Sequence, residues 1–422
     1  MRKIVYILLI AFLTACTGTN APDVQPQKQA VARQSKSLKR GVAFNFQISE
    51  DLPLLSPYIT WDYNWSNTTS DLSALWFDAN DIDYCPMCWN NNYNADKIRA
   101  YVAAHPSTKY LLAYNEPNLK DQARMTPTEA AAQWSSVVAL AKELNLKLVS
   151  PAMNYGTLAG YSDPIKWLDE FFTLIDPKDI YAISVHCYMS SSSALMGYIE
   201  RFNKYNKPIW LTEFCAWDGF TGDADAQISY MCAALNALET SSNVERYAWF
   251  IPRYRTDGTA PHMQLISSKT GNLTDAGKVY CYFPSFHANE YLKADRFIHA
   301  GEYCATTSTG TQLRPTTDMI AVERAGEDGL MATSMNQEQG LTYHISASQT
   351  TSKIALRYTC FTNTIAELRL DGQSVNYVSL NRTGALDAWT EQESDMAITA
   401  GQHELEISIV SGSTLLSGFE LK

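Results

Sequence analysis

Residues 109–149 read KYLLAYNEPNLKDQARMTPTEAAAQWSSVVALAKELNLKLV, and this stretch decides the fold class. It opens on a short apolar run, 109–114, of the kind that forms a strand buried on both faces, and closes on another, 146–149. Between them Thr126 and Glu129 form a capping-box pattern, with Pro127 at the first helical position. Trp134, Val137, Ala141 and Leu144 then recur at helical spacing along one face. Apolar strand, amphipathic helix and apolar strand in that order is the repeating unit of a parallel sheet.

The same alternation extends in both directions. Residues 41–46, 58–61, 74–77 and 82–84 read as strands before it, and 180–185, 208–212 and 246–250 after it. A helix begins at Asp163-Pro164 and carries Ile165, Leu168, Phe172 and Ile175 inward; another covers 224–238. Residues 39–288 match the usual size of a closed barrel, about 250 residues. A doubly wound open sheet is the alternative, but it usually carries a glycine-rich phosphate loop after its first strand, and none is found here. The expected fold class is therefore α/β, a (β/α)8 TIM barrel. Strands then follow one another without helices, at 320–324, 341–345, 354–361, 366–370 and 403–410, with turn signals at Asp371-Gly372 and Ala400-Gly401. Residues 319–422 are thus expected to form a C-terminal β-sandwich, with 289–318 as connector.

The chain begins with Arg2 and Lys3, then an apolar run, 4–13, too short to span a bilayer as a helix. Leu13-Thr14-Ala15-Cys16 resembles the bacterial lipobox, which implies a signal peptide over 1–16 and lipid attachment at Cys16. Residues 17–38 are polar and read as a flexible tether. The expected location is the bacterial cell envelope, lipid-anchored at the outer membrane, periplasmic or surface-exposed. Lys and Arg number 33 against 44 Asp and Glu, a net charge of −11, which disfavours nucleic acid or an anionic polysaccharide and suits a neutral glycan. Eight cysteines remain besides Cys16. Cys85-Pro-Met-Cys88 has metal-site spacing, but no second such pair exists, so a local disulfide or two buried thiols is expected there. No metal or cofactor is implied.

Glu116 ends the strand at 109–114 and Glu213 ends the one at 208–212. Barrel enzymes place their chemistry at these C-terminal strand ends. A carboxylate there is costly to bury without partners, a cost that makes sense where its ionisation is used. Asn115-Glu116-Pro117 resembles the Asn-Glu-Pro signature on the fourth strand of the large barrel clan of retaining β-glycosidases. Thr212-Glu213-Phe214 resembles that clan's seventh-strand segment.

With Lys39-Arg-Gly-Val42, Trp61-Asp-Tyr-Asn-Trp-Ser66, Leu148-Val-Ser-Pro-Ala152 and Ser184-Val-His-Cys-Tyr188, these segments resemble glycoside hydrolase family 128 over nearly all of residues 39–285. The resemblance implies an endo-β-1,3-glucanase acting on a neutral β-glucan. It implies Glu116 as acid/base, Glu213 as nucleophile, and Asn115 on the sugar hydroxyl beside the anomeric carbon. It also implies His186 and Tyr188 lining the catalytic subsite, with Tyr188 able to hold the nucleophile. Trp61, Tyr63, Trp65, Trp217 and Trp249 are candidates for stacking sugars. His186-Cys187-Tyr188 departs from the His-Trp-Tyr common in the family, which bears on the subsite beside Cys187. The same mechanism on another β-glycan, and a non-catalytic surface glycan-binding lipoprotein, remain the alternatives. Leu368-Arg-Leu-Asp-Gly372, Thr383-Gly384 to Trp389 and Ile398 to Leu405 resemble a family 6 carbohydrate-binding module, although the usual aromatic and Asn positions read Leu386 and Ser413-Thr414.

Overall fold

The structure, a computed structural model, describes residues 37–283, 291–308, 311–313, 322–324 and 331–422. The leader, Cys16 and the tether as far as residue 36 lie outside the described residues, as do 314–321 of the expected connector and first sandwich strand. No helix among the described residues is long and apolar enough to cross a membrane.

Eight strands alternate with eight helices: β1 (Arg40–Ala43), α1 (Asp51–Leu55), β2 (Trp61–Tyr63), α2 (Asp71–Ala79), β3 (Asp83–Tyr84), α3 (Ala95–Ala104), β4 (Tyr110–Leu112), α4 (Pro127–Glu143), β5 (Lys147–Val149), α5 (Pro164–Leu174), β6 (Ile180–Cys187), α6 (Ser192–Glu200), β7 (Ile209–Phe214), α7 (Ala224–Thr240), β8 (Val244–Trp249) and α8 (Asp275–Tyr282). The strands are parallel and ordered β3-β2-β1-β8-β7-β6-β5-β4. The two edges meet through a parallel bridge of Met87 with Leu112, where Cys88 N donates to Leu112 O and Leu112 N to Pro86 O, each at 2.9 Å. The result is a curled, (β/α)8 barrel-like fold.

Local sequence explains most boundaries. The Thr126–Glu129 capping box opens α4 with Pro127 behind it, and Asp163 caps α5. Two expectations are corrected. Residues 74–77 belong to α2: Ser70 accepts from Ser73 N, and Ala74, Trp76 and Phe77 are buried while Leu75 is exposed, a helical pattern. The second strand starts at Trp61 rather than at residue 58, so Tyr63 lies in it.

Between the barrel and its helices, Arg40 makes a buried ion pair with Glu239 at 2.9 Å and donates to Tyr247 Oη at 3.0 Å, joining β1, α7 and β8. Arg246 lies over the rings of Trp61, Tyr110 and Trp210 and pairs with Asp83, filling the N-terminal end of the barrel. Cys85 and Cys88 are buried thiols without a disulfide, and burial pushes Cys85 up to about 12.

The C-terminal part is β-rich: β9 (Leu292–Lys293), β10 (Ile298–His299), β11 (Ala305–Ser308), β12 (Thr311–Leu313), β13 (Val322–Arg324), β14 (Met331–Asn336), β15 (Gln339–Ala347), β16 (Thr351–Thr359), β17 (Thr364–Leu370), β18 (Gln373–Leu380), β19 (Thr390–Ile398), β20 (Gly401–Ser411) and β21 (Ser413–Leu421). One sheet runs β13-β14-β21-β16-β19 and the other β12-β11-β15-β20-β17-β18. Tyr343 of β15 meets Phe419 of β21 edge-on at 5.0 Å, so the two sheets share apolar contacts. Asp371 and Gly372 both take positive φ, as a two-residue hairpin turn requires. The expected connector is corrected here: β9 and β11 pair with β15, and β10 with β21, so these residues belong to the sheets.

Candidate active site

Glu116 stands two residues beyond the apolar part of its strand, and its backbone is pinned on both sides. Asn115 N donates to Trp89 O at 2.9 Å, and Glu116 N to Ala152 O at 3.1 Å. Glu116 has a φ of 45°, in the left-handed region that non-glycine residues seldom adopt. Glu213 is the fifth residue of β7, inside the strand, and its side chain points into the same space.

One imidazole joins the two carboxylates. His186 Nδ1 lies 3.0 Å from Glu116 Oε1 and 3.5 Å from Glu213 Oε2. Those two distances cap the separation of the two oxygens at about 6.5 Å. Asn154 Nδ2 donates to the same Glu116 oxygen at 3.0 Å. Glu213 is held by three further donors: Tyr63 Oη at 2.8 Å, Trp65 Nε1 at 2.7 Å, and the Tyr188 hydroxyl in a short contact.

Burial is the largest influence on every member of this group, and it disfavours charge. For Glu116 burial pushes the carboxyl up, but His186 and Asn154 outweigh it and hold it below the ordinary range. For Glu213 burial, reinforced by the charge of Glu116, prevails over His186, Tyr188 and Trp65, and the carboxyl is raised. Burial lowers His186, while the two carboxylates more than compensate and raise it. In the unliganded site the surroundings thus favour negative charge on Glu116 more than on Glu213.

A cleft of about 690 Å³ opens above these groups. Trp65, Asn115, Tyr188 and Trp217 line it with both carboxylates. His186 lies beneath it, fully buried. Asn115 Nδ2 donates to Gln122 Oε1 at 3.1 Å, and its buried Oδ1 has no partner.

Three sequence-derived assignments are corrected. Trp61 is fully buried at the base of β2, donates to Lys39 O and packs on Trp210, so its ring cannot meet a sugar. Trp249 is fully buried, donates to Met263 O and packs on Phe214 and Tyr280. Tyr63 is also buried, and it presents its hydroxyl to Glu213 rather than its ring to the cleft.

Other lining residues were missed: Trp89, Gln122, Asn154, Tyr155, Asp218 and Phe250. Asn154 had a signal, since it follows the fifth strand two residues beyond Pro151-Ala152. Trp89 and Asp218 lie on loops where no period applies. No group of His, Cys, Asp and Glu suited to a metal occurs among the described residues.

Comparison with known proteins agrees with this geometry. The model of the glycosyl hydrolase catalytic core family matches residues 41–280. A subgroup II family 128 endo-β-1,3-glucanase from Pseudomonas viridiflava is 38% identical, with 58% of this chain and 98% of that chain covered and a TM-score of 0.53. A subgroup II enzyme of the same description from Sorangium cellulosum is 31% identical, with 58% and 97% covered and a TM-score of 0.52. Alkali-sensitive linkage protein 1 of Schizosaccharomyces pombe is 27% identical over 257 residues, which are 58% of this chain and 45% of that protein. The chain thus spans less than half the length of that curated relative. On this match and these relatives, the chain belongs to the glycosyl hydrolase catalytic core family and, within it, to the glycoside hydrolases of family 128.

Proposed function

We propose that this protein cleaves internal β-1,3-glucosidic bonds of a neutral β-glucan with retention of anomeric configuration. The observation that carries the stereochemical reading is the cap of about 6.5 Å on the separation of the Glu116 and Glu213 oxygens. Retaining enzymes hold their carboxyls about 5–5.5 Å apart, and inverting ones about 6.5–9.5 Å apart to admit a water. The linkage rests on the family 128 relatives, two of which are described as endo-β-1,3-glucanases.

In this reading Glu213 attacks the anomeric carbon. The bond from that carbon to Glu213 forms as the glycosidic bond breaks, and the proton on Glu116 passes to the leaving oxygen. Water then adds to the anomeric carbon, gives its proton to Glu116, and releases Glu213. Asn115 binds the hydroxyl beside the anomeric carbon. Trp65 and Trp217 face the sugar rings, and Tyr63, Trp65 and Tyr188 hold the Glu213 anion. Chemistry requires the proton on Glu116, so substrate must draw it there: a leaving oxygen accepts from Glu116, and expulsion of water strengthens the three hydrogen bonds to Glu213.

The C-terminal sheets, in the same proposal, form a sandwich of the family 6 carbohydrate-binding type, with Tyr377, 59% exposed, available to a glycan. Cys16 carries the lipid that holds the enzyme in the cell envelope.

The test is digestion of a β-1,3-glucan beside other neutral β-glycans, with products resolved by size and their anomers read by NMR at early times. β-anomeric oligosaccharides from the β-1,3-glucan alone, lost in Glu116→Gln and Glu213→Gln, are expected. Products from another glycan would replace the substrate, and α-anomers would replace the mechanism.

A further inference from the structure

His186 is fully buried beneath the cleft, and Nδ1 is the atom that meets both carboxylates. Nε2 is buried with no hydrogen-bond partner. A buried N–H without an acceptor is costly, so the geometry places the working proton of the ring at Nδ1, the nitrogen that has acceptors. That single N–H faces two acceptors and can donate to one at a time.

We propose that His186 is a positioning residue whose Nδ1–H changes partner once in each half of the reaction, following the negative charge from Glu213 to Glu116. The proposal rests on the retaining reading above. Before bond cleavage Glu213 is the anion and Glu116 carries the proton, so Nδ1–H donates to Glu213. Once the ester to the sugar forms, Glu213 is neutral and Glu116, having given its proton to the leaving group, is the anion. Nδ1–H then donates to Glu116 and keeps it ionised, the state in which it deprotonates water. The return of that proton to Glu116 and the release of Glu213 reset the bond. No proton leaves His186, and a small rotation of the ring is sufficient, since the two oxygens lie 3.0 and 3.5 Å from one atom. In the unliganded site the shorter distance is to Glu116, so the first change of partner, toward Glu213, comes with substrate.

Titratable groups face this atom from every side. Glu116 comes from the segment after β4 and Glu213 from β7. Tyr63 from β2 and Tyr188 from just after β6 reach it through Glu213, and Asp218, whose carboxyl is raised by burial and then by Glu116, lies in the cleft above. His186 acts to lower both catalytic carboxyls.

The test uses His186→Leu with an activated aryl β-laminaribioside. Water attack is expected to slow about 10- to 100-fold, the worth of a hydrogen bond to a charged group. The glycosyl-enzyme then accumulates, giving a burst of aryl alcohol and a fall in kcat larger than that in kcat/KM. Both limbs of the pH profile of kcat/KM move to higher pH, because Glu213 must be ionised and Glu116 protonated and each loses a group that lowered it. Equal falls in kcat and kcat/KM, with unmoved limbs, would overturn the proposal. If the variant does not fold, the wild-type enzyme decides: trapped with an activated 2-deoxy-2-fluoro glycoside, its His186 Nδ1 proton resonance is expected to shift, and an unchanged resonance overturns the proposal. Absence of any covalent adduct by mass spectrometry is a different failure, that of the retaining reading.

Discussion

Trp65 Nε1 donates to Glu213 Oε1 across 2.7 Å, from a residue whose φ of 60° turns its side chain back over the barrel mouth. An indole N–H only donates, so this bond is made to a carboxylate and weakens as Glu213 becomes an ester. Trp65→Phe keeps a ring in the cleft and removes the donor. A hydrogen bond to a charged group is worth about 1.5–3 kcal/mol, so kcat/KM should fall about 10- to 100-fold. Trp65 is one of the groups that lower Glu213. Its loss should therefore move the acid limb of the pH profile upward. Unchanged activity on a β-1,3-glucan would remove Trp65 from the nucleophile's support.

Glu116 and Glu213 should separate by leaving group. Glu116→Gln removes the acid, which contributes about 10²- to 10⁴-fold where the leaving group needs a proton. The loss should be large on the glucan and small for the first turnover of an aryl glycoside whose alcohol leaves unaided. Glu213→Gln should lose both. Burst kinetics on the two substrates measure the difference, and equal losses for Glu116→Gln would reassign the acid.

Trp89 and Trp249 test which aromatic rings meet substrate. Trp89 lines the cleft from the loop after β3, whereas Trp249 is fully buried against α8. Trp89→Ala should raise KM for oligosaccharides several-fold, since an aromatic contact is worth about 0.5–1.5 kcal/mol beyond burial. Trp249→Phe should lower thermal stability and leave KM unchanged. Reversed outcomes would restore the sugar-stacking role to Trp249.

The buried pair of Arg40 and Glu239 ties the first strand to α7, and removing one partner strands the other charge. Arg40→Met should cost about 3–5 kcal/mol in denaturant unfolding, while the folded fraction keeps its turnover. A loss under about 1 kcal/mol would mean that the pair does not hold β1 to α7.

The contrast between Trp61 and Tyr63 shows where sequence reading reaches and where it stops. Alternation along a strand places both on the inner face of the barrel, and that much is legible. Depth along the barrel axis is not. Trp61 lies low, against Trp210, while Tyr63, two residues later, reaches Glu213. The strand ends bearing Glu116 and Glu213 were legible because an acid at the end of an apolar run stands out. Trp89 and Asp218 were not, because their roles come from loops brought to the cleft only by closure of the barrel. Residues 74–77 misled for another reason: four apolar residues in a row suit a strand or a buried helix, and the Ser70 cap decides between them.

Asp62 stands between Trp61 and Tyr63 but on the opposite face of β2, fully buried. Burial pushes its carboxyl well above the ordinary value, with the backbone amide of Phe44 only partly offsetting this. The sign follows from proton counting. Above the unfolded carboxyl's range and below the folded one, the native chain holds a proton that the unfolded chain has released, so stability falls as pH rises through that window. At pH 4, close to the ordinary carboxyl value of 3.8, the unfolded chain still holds about half of this proton, so little of the difference has developed. Asp62→Asn replaces the neutral acid with a neutral amide of the same shape. It should leave the melting temperature near pH 4 little changed, raise it at pH 7, and flatten its decline between them. Thermal melts of both proteins at the two pH values measure this, and a lower melting temperature for the variant at pH 7 would mean that Asp62 is buried as an anion.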